Sequence, residues 1–321
     1  MKAIVHTKYG PPDVLELQEI EKPIPQADEV LIKVRASSVN PAEWYGMTGL
    51  PIARLGEGLF KPKDTRLGVD YSGIVEAVGK DRSDFKVGDE VFGARSGAFA
   101  EYVCAKNIII PKPKNITFEE AASVPTAAIT ALQGLRDYGK IQLGQKVLIN
   151  GASGGVGTFA IQIAKSFGAE VTGVCSTKNV EIVKSLGADH VIDYTKEDFT
   201  LSNQKYDLLL DVSGTRSWSE YKRILKPDAH FVIVGAPKSK SPIGPLGHVI
   251  KIKLGSLGAS QKAEFFIAKF NKEDFALLKE LLDSGKVKPY VEKTYPLNKI
   301  TDAMNHLGTG HAQGKIVLTM T

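Results

Sequence analysis

Hydrophobic and polar positions follow two regimes along the chain. Short β-branched or alternating runs fill the first third: Met1–Thr7, Val14–Ile20, Glu29–Val39, Tyr71–Val78, Glu90–Phe92 and Ala98–Val103. Gly10-Pro11-Pro12, Pro25-Gln26-Ala27-Asp28 and Val87-Gly88-Asp89 punctuate them as turns. Helices do not alternate with these strands, so the pattern predicts a β-barrel-like unit. A long connection, Asn40–Val69, carries Trp44, Tyr45 and Phe60 and reads as a functional or mobile loop. Helical spacing begins at Thr117, a suitable N-cap with Glu119 and Glu120 in the first turn. It continues to Tyr138, with Pro125 dividing it into two helices that meet near Val124.

From Lys146 the pattern changes to strand, helix, strand. Apolar runs at Lys146–Asn150, Glu170–Cys175, His190–Asp193, Asp207–Val212 and His230–Val234 alternate with helices near Val156–Phe167, Asn179–Leu186 and Ser217–Leu225. Right-handed crossovers of this kind give a doubly wound parallel sheet. Pro237–Leu257 reads as a loop bearing Lys238, Lys240, Lys251 and Lys253, and Glu273–Ser284 as an amphipathic helix ended by Gly285. Val291–Tyr295, Ile300–His306 and Gly314–Met320 return to the first domain. The expected fold is α/β, with a β-barrel domain over 1–122 and 289–321 and a parallel-sheet domain over 123–288.

Composition narrows the classes. With 321 residues, 43% hydrophobic and 24% charged, the chain suits one large or two ordinary globular domains. A net charge of +5 is met equally by solubility and by an anionic cofactor. Cys104 and Cys175 lie far apart in apolar runs, which supports neither a disulfide framework nor a zinc motif. Met1 leads directly into a strand pattern, and Val147–Ala164 is broken by glycines, so a cytoplasmic protein without a membrane span is expected.

The chemistry gathers after the strand Lys146–Asn150, where Gly151, Gly154, Gly155 and Gly157 precede a helix. Such a turn lets backbone approach a pyrophosphate while the helix N-terminus faces its charge. Ser153, Gly154, Gly155 and Val156 are the expected contacts. About 20 residues past the glycines, a carboxylate would hold the ribose 2′-hydroxyl of NAD. Ser176, Thr177 and Lys178 stand there instead. Ser176 and Lys178 suit a 2′-phosphate, so the cofactor expected is NADPH. Ser213-Gly214 and Gly235-Ala236 end strands at the ligand-facing edge of such a sheet and offer backbone contacts or simple turns.

Four signatures in order, Gly68–Gly79 (GVDYSGIVEAVG), Val87–Val91, the glycine turn and Gly314–Leu318, span nearly the whole length. Together they resemble the medium-chain dehydrogenase/reductase superfamily, and within it the zinc-free quinone oxidoreductase branch and its enone-reducing members. The resemblance implies a GroES-like catalytic domain, a Rossmann cofactor domain, a cleft between them and a homodimer formed through the last strand and helix of the cofactor domain. Zinc-bearing members carry a catalytic Cys near the Asn40 position and Gly-His-Glu where this chain has Gly68-Val69-Asp70. Before Cys104 the sole Cys or His is His6, so neither a catalytic nor a structural zinc set can be assembled.

Without a metal, hydride transfer needs an acceptor activated by its own conjugation, a quinone or an α,β-unsaturated carbonyl. The resemblance puts Asn40 beside nicotinamide and substrate, with a turn before Pro41 as the alternative. Glu43 matches a frequent aspartate of the family or is a solvated loop charge. Tyr45 is placed to donate a hydrogen bond or to wall the pocket, and Trp44 to pack in the core. By the same resemblance Thr126 approaches the nicotinamide, and Tyr194 covers the adenosine phosphate. Asp70 is expected to cap a turn and Lys315 to form a salt bridge at the core edge. A non-catalytic NADPH-binding or RNA-binding protein is the rival reading, drawing on Lys238, Lys240, Lys251 and Lys253.

Overall fold

β-branched residues that recur every second position commit the first third of the chain to strands, and the computed structural model of the protein places them in a two-stranded sheet and a seven-stranded one. It describes residues 1–51, 54, 58–235 and 246–320. The chain packs as two compact units, Met1–Ala127 with Phe270–Gly285 and Pro289–Thr321, and Ala128–Lys269 with Lys286–Lys288. This division keeps 123–127 and 270–285 in the first unit, whereas the sequence reading assigns both to 123–288.

In the first unit, β1 (Lys2–Val5) and β2 (Glu16–Glu19) form an antiparallel pair. β3 (Val30–Ser38) leads into α1 (Pro41–Thr48), followed by β4 (Asp70–Val78), β5 (Glu90–Ala94), β6 (Tyr102–Ala105) and β7 (Ile109–Pro111). The seven-stranded sheet is completed by two late strands, Val291–Pro296 and Lys315–Thr319, the second pairing antiparallel with β3. Val30, Ile32, Val34, Tyr71, Val75 and Val91 form one core beneath it.

Helix α1 corrects the expectation of a plain connection between Asn40 and Val69. Pro41 occupies its first turn, where a missing N–H costs nothing, and Gly49 ends it in the left-handed region at φ 64°. Its apolar residues do not form one stripe, which is why periodicity misses it. Trp44 packs against the cluster containing Met47 and Met304, as expected.

The Thr117 cap holds: its Oγ1 accepts the Glu120 N–H and the Glu120 carboxylate accepts the Thr117 N–H. Helices α2 (Phe118–Ala122) and α3 (Pro125–Gln133) meet at Val124.

The second unit is a six-stranded, all-parallel sheet. In chain order it contains β8 (Lys146–Asn150), α4 (Gly155–Ser166), β9 (Glu170–Cys175), α5 (Val180–Ser185), β10 (His190–Asp193), β11 (Tyr206–Asp211), α6 (Trp218–Lys222), β12 (Leu225–Ile233), α7 (Leu246–Gly255) and β13 (Lys262–Phe265). The strand order β10-β9-β8-β11-β12-β13 puts the reversal of winding between β8 and β11. Ligands of such sheets lie outside the carboxyl ends of the strands at that point.

One expectation fails in this unit and one strand goes unread. Leu246–Gly255 is helical rather than loop, because Val249 and Ile252 bury one face of it. β13 has no counterpart in the sequence reading; Lys262 and Glu264 give it too short an apolar run. Lys238, Lys240 and Ala236 lie outside the described residues.

The last elements are α8 (Lys272–Asp283), β14 (Val291–Pro296), α9 (Ile300–Gly308) and β15 (Lys315–Thr319). α8 belongs to the first unit because buried Phe275 meets Phe92 of β5 at 6.1 Å between ring centroids, and Asn115 Nδ2 donates to Leu282 O at 2.8 Å.

Candidate functional site

The glycine turn after β8 is tied down on its β9 side. Gly151 N and Ala152 N donate to Val174 O at the end of β9, at 3.2 and 3.0 Å. Gly151 sits at φ 88°, and a Cβ there would fall 2.5 Å from Ser213 Oγ; one on Gly157 would fall 2.2 Å from Gly151 O. Side chains are thus excluded by the turn's own packing. Gly154 differs, since among the described residues a Cβ built on it meets only Gly151 O, at 3.5 Å. No other described residue crowds it, the condition a close-lying pyrophosphate requires.

The first N–H bonded back into α4 is that of Thr158, to Gly154 O at 3.0 Å. Those of Gly155, Val156 and Gly157 have no intrahelical carbonyl within reach. Together with the positive end of the 12-residue helix they form a site for an anion.

Ser153 is more constrained than its sequence position suggests. It is buried, and its Oγ accepts from Asn179 Nδ2 at 2.8 Å. Asn179, only 5% exposed, keeps its Oδ1 without a partner among the described residues. A sealed acceptor beside a phosphate-type turn fits a nucleotide, which brings ribose hydroxyl donors. Sequence reasoning missed Asn179; an asparagine directly after Lys178, the last of the 2′-phosphate candidates, was the available signal.

Ser176, Lys178 and Tyr194 lie at the ends of the paired strands β9 and β10. Tyr194 N donates to Cys175 O at 3.0 Å, while Lys178 and Tyr194 are exposed. Asp193 closes the same edge, accepting from the hydroxyls of Thr177 at 2.6 Å and Thr195 at 2.7 Å. Led by the Thr177 bond, these donors hold its carboxyl down at about 2. A carboxylate therefore does stand near the 2′-phosphate candidates, contrary to the expectation of none, but its oxygens are already engaged. Gly235 N reaches Asp211 O at 3.1 Å, and a Cβ on Gly235 would strike Val212 O. Ser213 and Gly235 thus border the sheet edge beside the turn.

In the first unit, the sequence candidates converge on Asp70. It starts β4 fully buried and accepts from Ser38 Oγ (2.8 Å), Asn40 Nδ2 (3.0 Å), Thr126 N (3.1 Å) and Thr126 Oγ1 (2.6 Å). Lys315 of β15, equally sealed, donates to Asn40 Oδ1 at 2.5 Å and stands 3.8 Å from Asp70. Asp70 is therefore no turn cap, and Lys315 pairs with it inside the core. An acidic residue in one apolar run and a basic residue in another were the legible hint.

Glu43 is also corrected. It is 4% exposed, not solvated, and its Oε2 accepts the Asn40 N–H at 2.8 Å while Oε1 has no partner among the described residues. Burial, then the charge of Asp70, pushes its carboxyl up to about 7, partly offset by Lys315. Burial pushes Lys315 down, while Asp70 and Glu43 hold it up. Tyr45 is half-buried, its phenol raised by burial, and its hydroxyl has no hydrogen-bond partner among the described residues. A cavity of about 390 Å³ is bordered by Glu43, Ala42, Gly68, Val69, Arg66 and Ser96.

A β-rich unit joined in one chain to a doubly wound sheet with this phosphate turn defines the class of two-domain, nucleotide-binding dehydrogenases. Residues 26–114 match the family model described as alcohol dehydrogenase GroES-like domain, and residues 186–318 that described as zinc-binding dehydrogenase. The chain is 36% identical to the human mitochondrial NAD(P)H oxidoreductase RTN4IP1, covering 100% of this chain and 89% of that protein. It is 35% identical to the chloroplastic NADPH-dependent alkenal/one oxidoreductase of Arabidopsis thaliana, covering 99% and 79%. The structure of the quinone oxidoreductase from Coxiella burnetii matches with a TM-score of 0.85 and 32% identity, over 100% of this chain and 99% of that one. The chain belongs to the medium-chain dehydrogenase/reductase superfamily, in its zinc-free quinone oxidoreductase branch. Among the described residues no group of three or more His, Cys, Asp or Glu side chains suited to a metal occurs.

Proposed function

We propose that this protein is an NADPH-dependent, zinc-independent reductase of quinones or α,β-unsaturated carbonyls. The observation that carries the reading is the flank of Gly154, uncrowded among the described residues, beside the N–H groups at the head of α4 that no carbonyl of the helix reaches, a cradle for a dinucleotide pyrophosphate. Ser153, Gly154, Gly155 and Val156 hold the pyrophosphate. Ser176, Lys178 and Tyr194 hold the 2′-phosphate, Ser213 and Gly235 border the cofactor, and Thr126 faces the nicotinamide. Ala236 keeps its proposed contact, though it lies outside the described residues. NADPH, when bound, supplies the hydride.

The chain's own work is orientation and polarisation. Tyr45, whose hydroxyl is unengaged among the described residues, donates to the acceptor's carbonyl oxygen. Asn40 is the second acceptor-side residue, but its amide is occupied by Asp70 and Lys315, so it shapes the site rather than donating freely. Glu43 puts a protonatable group on the cavity wall. The proton that completes reduction comes from water or the Tyr45 hydroxyl.

Loss of NADPH absorbance with a panel of enones and quinones tests this. Turnover with at least one acceptor, unaffected by chelator, is expected. Failure with every acceptor, or a requirement for stoichiometric zinc, would falsify it.

Nucleic-acid binding gains little support: Lys253 donates to Ala263 O at 2.6 Å. Among the described residues no helix is long and apolar enough to cross a membrane. A homodimer belongs to the proposal, formed along the end strand β13, near which Leu254, Leu257 and Ile267 are exposed. Sedimentation of the pure protein decides it. A cytoplasmic location is likewise proposed, in line with two unpaired thiols, Cys104 and Cys175. The relatives named mitochondrial and chloroplastic make cell fractionation the test.

A further inference from the structure

Asp70 spends both carboxylate oxygens on side chains from other elements. Oδ1 takes the backbone N–H and hydroxyl of Thr126 at the head of α3, and Oδ2 takes Ser38 and Asn40. Lys315 arrives from β15 and donates to the other end of the same Asn40 amide. A free amide can exchange its donor and acceptor ends by flipping. Between an acceptor-only carboxylate and a donor-only ammonium, one orientation satisfies both. The remaining ionisable group against the pair is Glu43, also buried.

Two charges removed from water are a weak source of stability compared with apolar side chains of equal volume. What they supply is direction. We propose that Asp70 and Lys315 are positioning residues for the reduction: they lock the amide polarity of Asn40 and tether the Thr126 hydroxyl, so that both side chains are held as one piece. This rests on the reductase reading, in which Asn40 serves the acceptor and Thr126 the nicotinamide.

The test uses the full chain as Asp70→Asn, Lys315→Met and the double variant, each first checked for a cooperative thermal melt. Three readouts follow: kcat and KM with one prochiral enone, the enantiomeric excess of its product, and the NADPH Kd by fluorescence titration. Expected for Lys315→Met is a kcat lowered at least tenfold, with KM within threefold and a reduced enantiomeric excess. Expected for Asp70→Asn is in addition an NADPH Kd raised at least fivefold. The double variant, carrying no unpaired buried charge, recovers the melt but not kcat or selectivity. Asp70→Glu, keeping the charge, recovers part of the selectivity.

Folded variants with wild-type kcat, selectivity and Kd overturn the proposal. So does loss of folding in all of them, the double included, which would make the pair purely structural. If the wild type reduces no acceptor, the reductase reading fails instead. The NADPH Kd of Asp70→Asn then still decides whether the Thr126 tether serves the cofactor.

Discussion

Glu43 holds the backbone N–H of Asn40 at 2.8 Å with one carboxylate oxygen while its other oxygen is buried with no partner among the described residues. The first contact starts α1; the second makes ionisation costly.

A pH dependence of stability follows from this pair. Burial raises the Glu43 carboxyl from 4.5 to about 7. A group raised on folding gives stability that is full below its unfolded value and lost as pH rises through its folded one. Glu43 therefore favours the folded state below about pH 4.5 and has ceased to do so above about pH 7. Glu43→Gln keeps an oxygen for the Asn40 N–H and cannot ionise. It should unfold about 1–3 kcal/mol higher than wild type at pH 8, and equally at pH 4.5. Urea melts at both pH values check this.

The glycines of the cradle separate folding from binding. Gly157→Ala drives a Cβ into backbone, 2.2 Å from Gly151 O, and should lower both the melting temperature and NADPH affinity. Gly154→Ala meets no clash among the described residues and has an ordinary φ of −82°. It should melt as wild type yet bind NADPH at least tenfold more weakly, as seen by calorimetric titration and thermal melts.

These contrasts mark how far the sequence could be read. The strand–glycine–helix unit was legible because its strand is apolar, its turn needs glycine and its helix is periodic, all within 23 residues. The Asp70 cluster was not. Its members Ser38, Asn40, Asp70, Thr126 and Lys315 come from separate elements, and only the pairing of β15 with β3 brings the last of them in. α1 escaped for another reason: its beginning and end are set by Pro41 and Gly49, not by an apolar stripe. The solvated reading of Glu43 failed with it, since a charge that looks loop-borne became a helix cap.

Cofactor preference tests Lys178. Lys178→Ala should weaken NADPH about tenfold while leaving NADH within twofold, because only NADPH carries the 2′-phosphate. The salt dependence of NADPH binding should fall with it. Equal effects on the two cofactors would remove Lys178 from the phosphate site.

The Thr177–Asp193 bond tests whether the strand-end loop is held from below. Asp193 accepts from Thr177 and Thr195, which keeps its carboxyl low, at about 2. Asp193→Ala should loosen the segment carrying Ser176 and Lys178. NADPH affinity should drop several-fold, with a smaller change for NADH. An unchanged ratio of the two dissociation constants contradicts this.

Lys315 meets Asn40 across 275 positions of chain. During synthesis the N-terminal strands are made long before their buried carboxylate has its counter-ion, and the entire parallel sheet is translated in between. Until β15 emerges, the nascent chain holds an acid in its core with no base beside it. Ribosomes stalled ahead of Lys315 should therefore carry a first unit that is collapsed but easily cleaved by protease, while the nucleotide-binding sheet is already resistant.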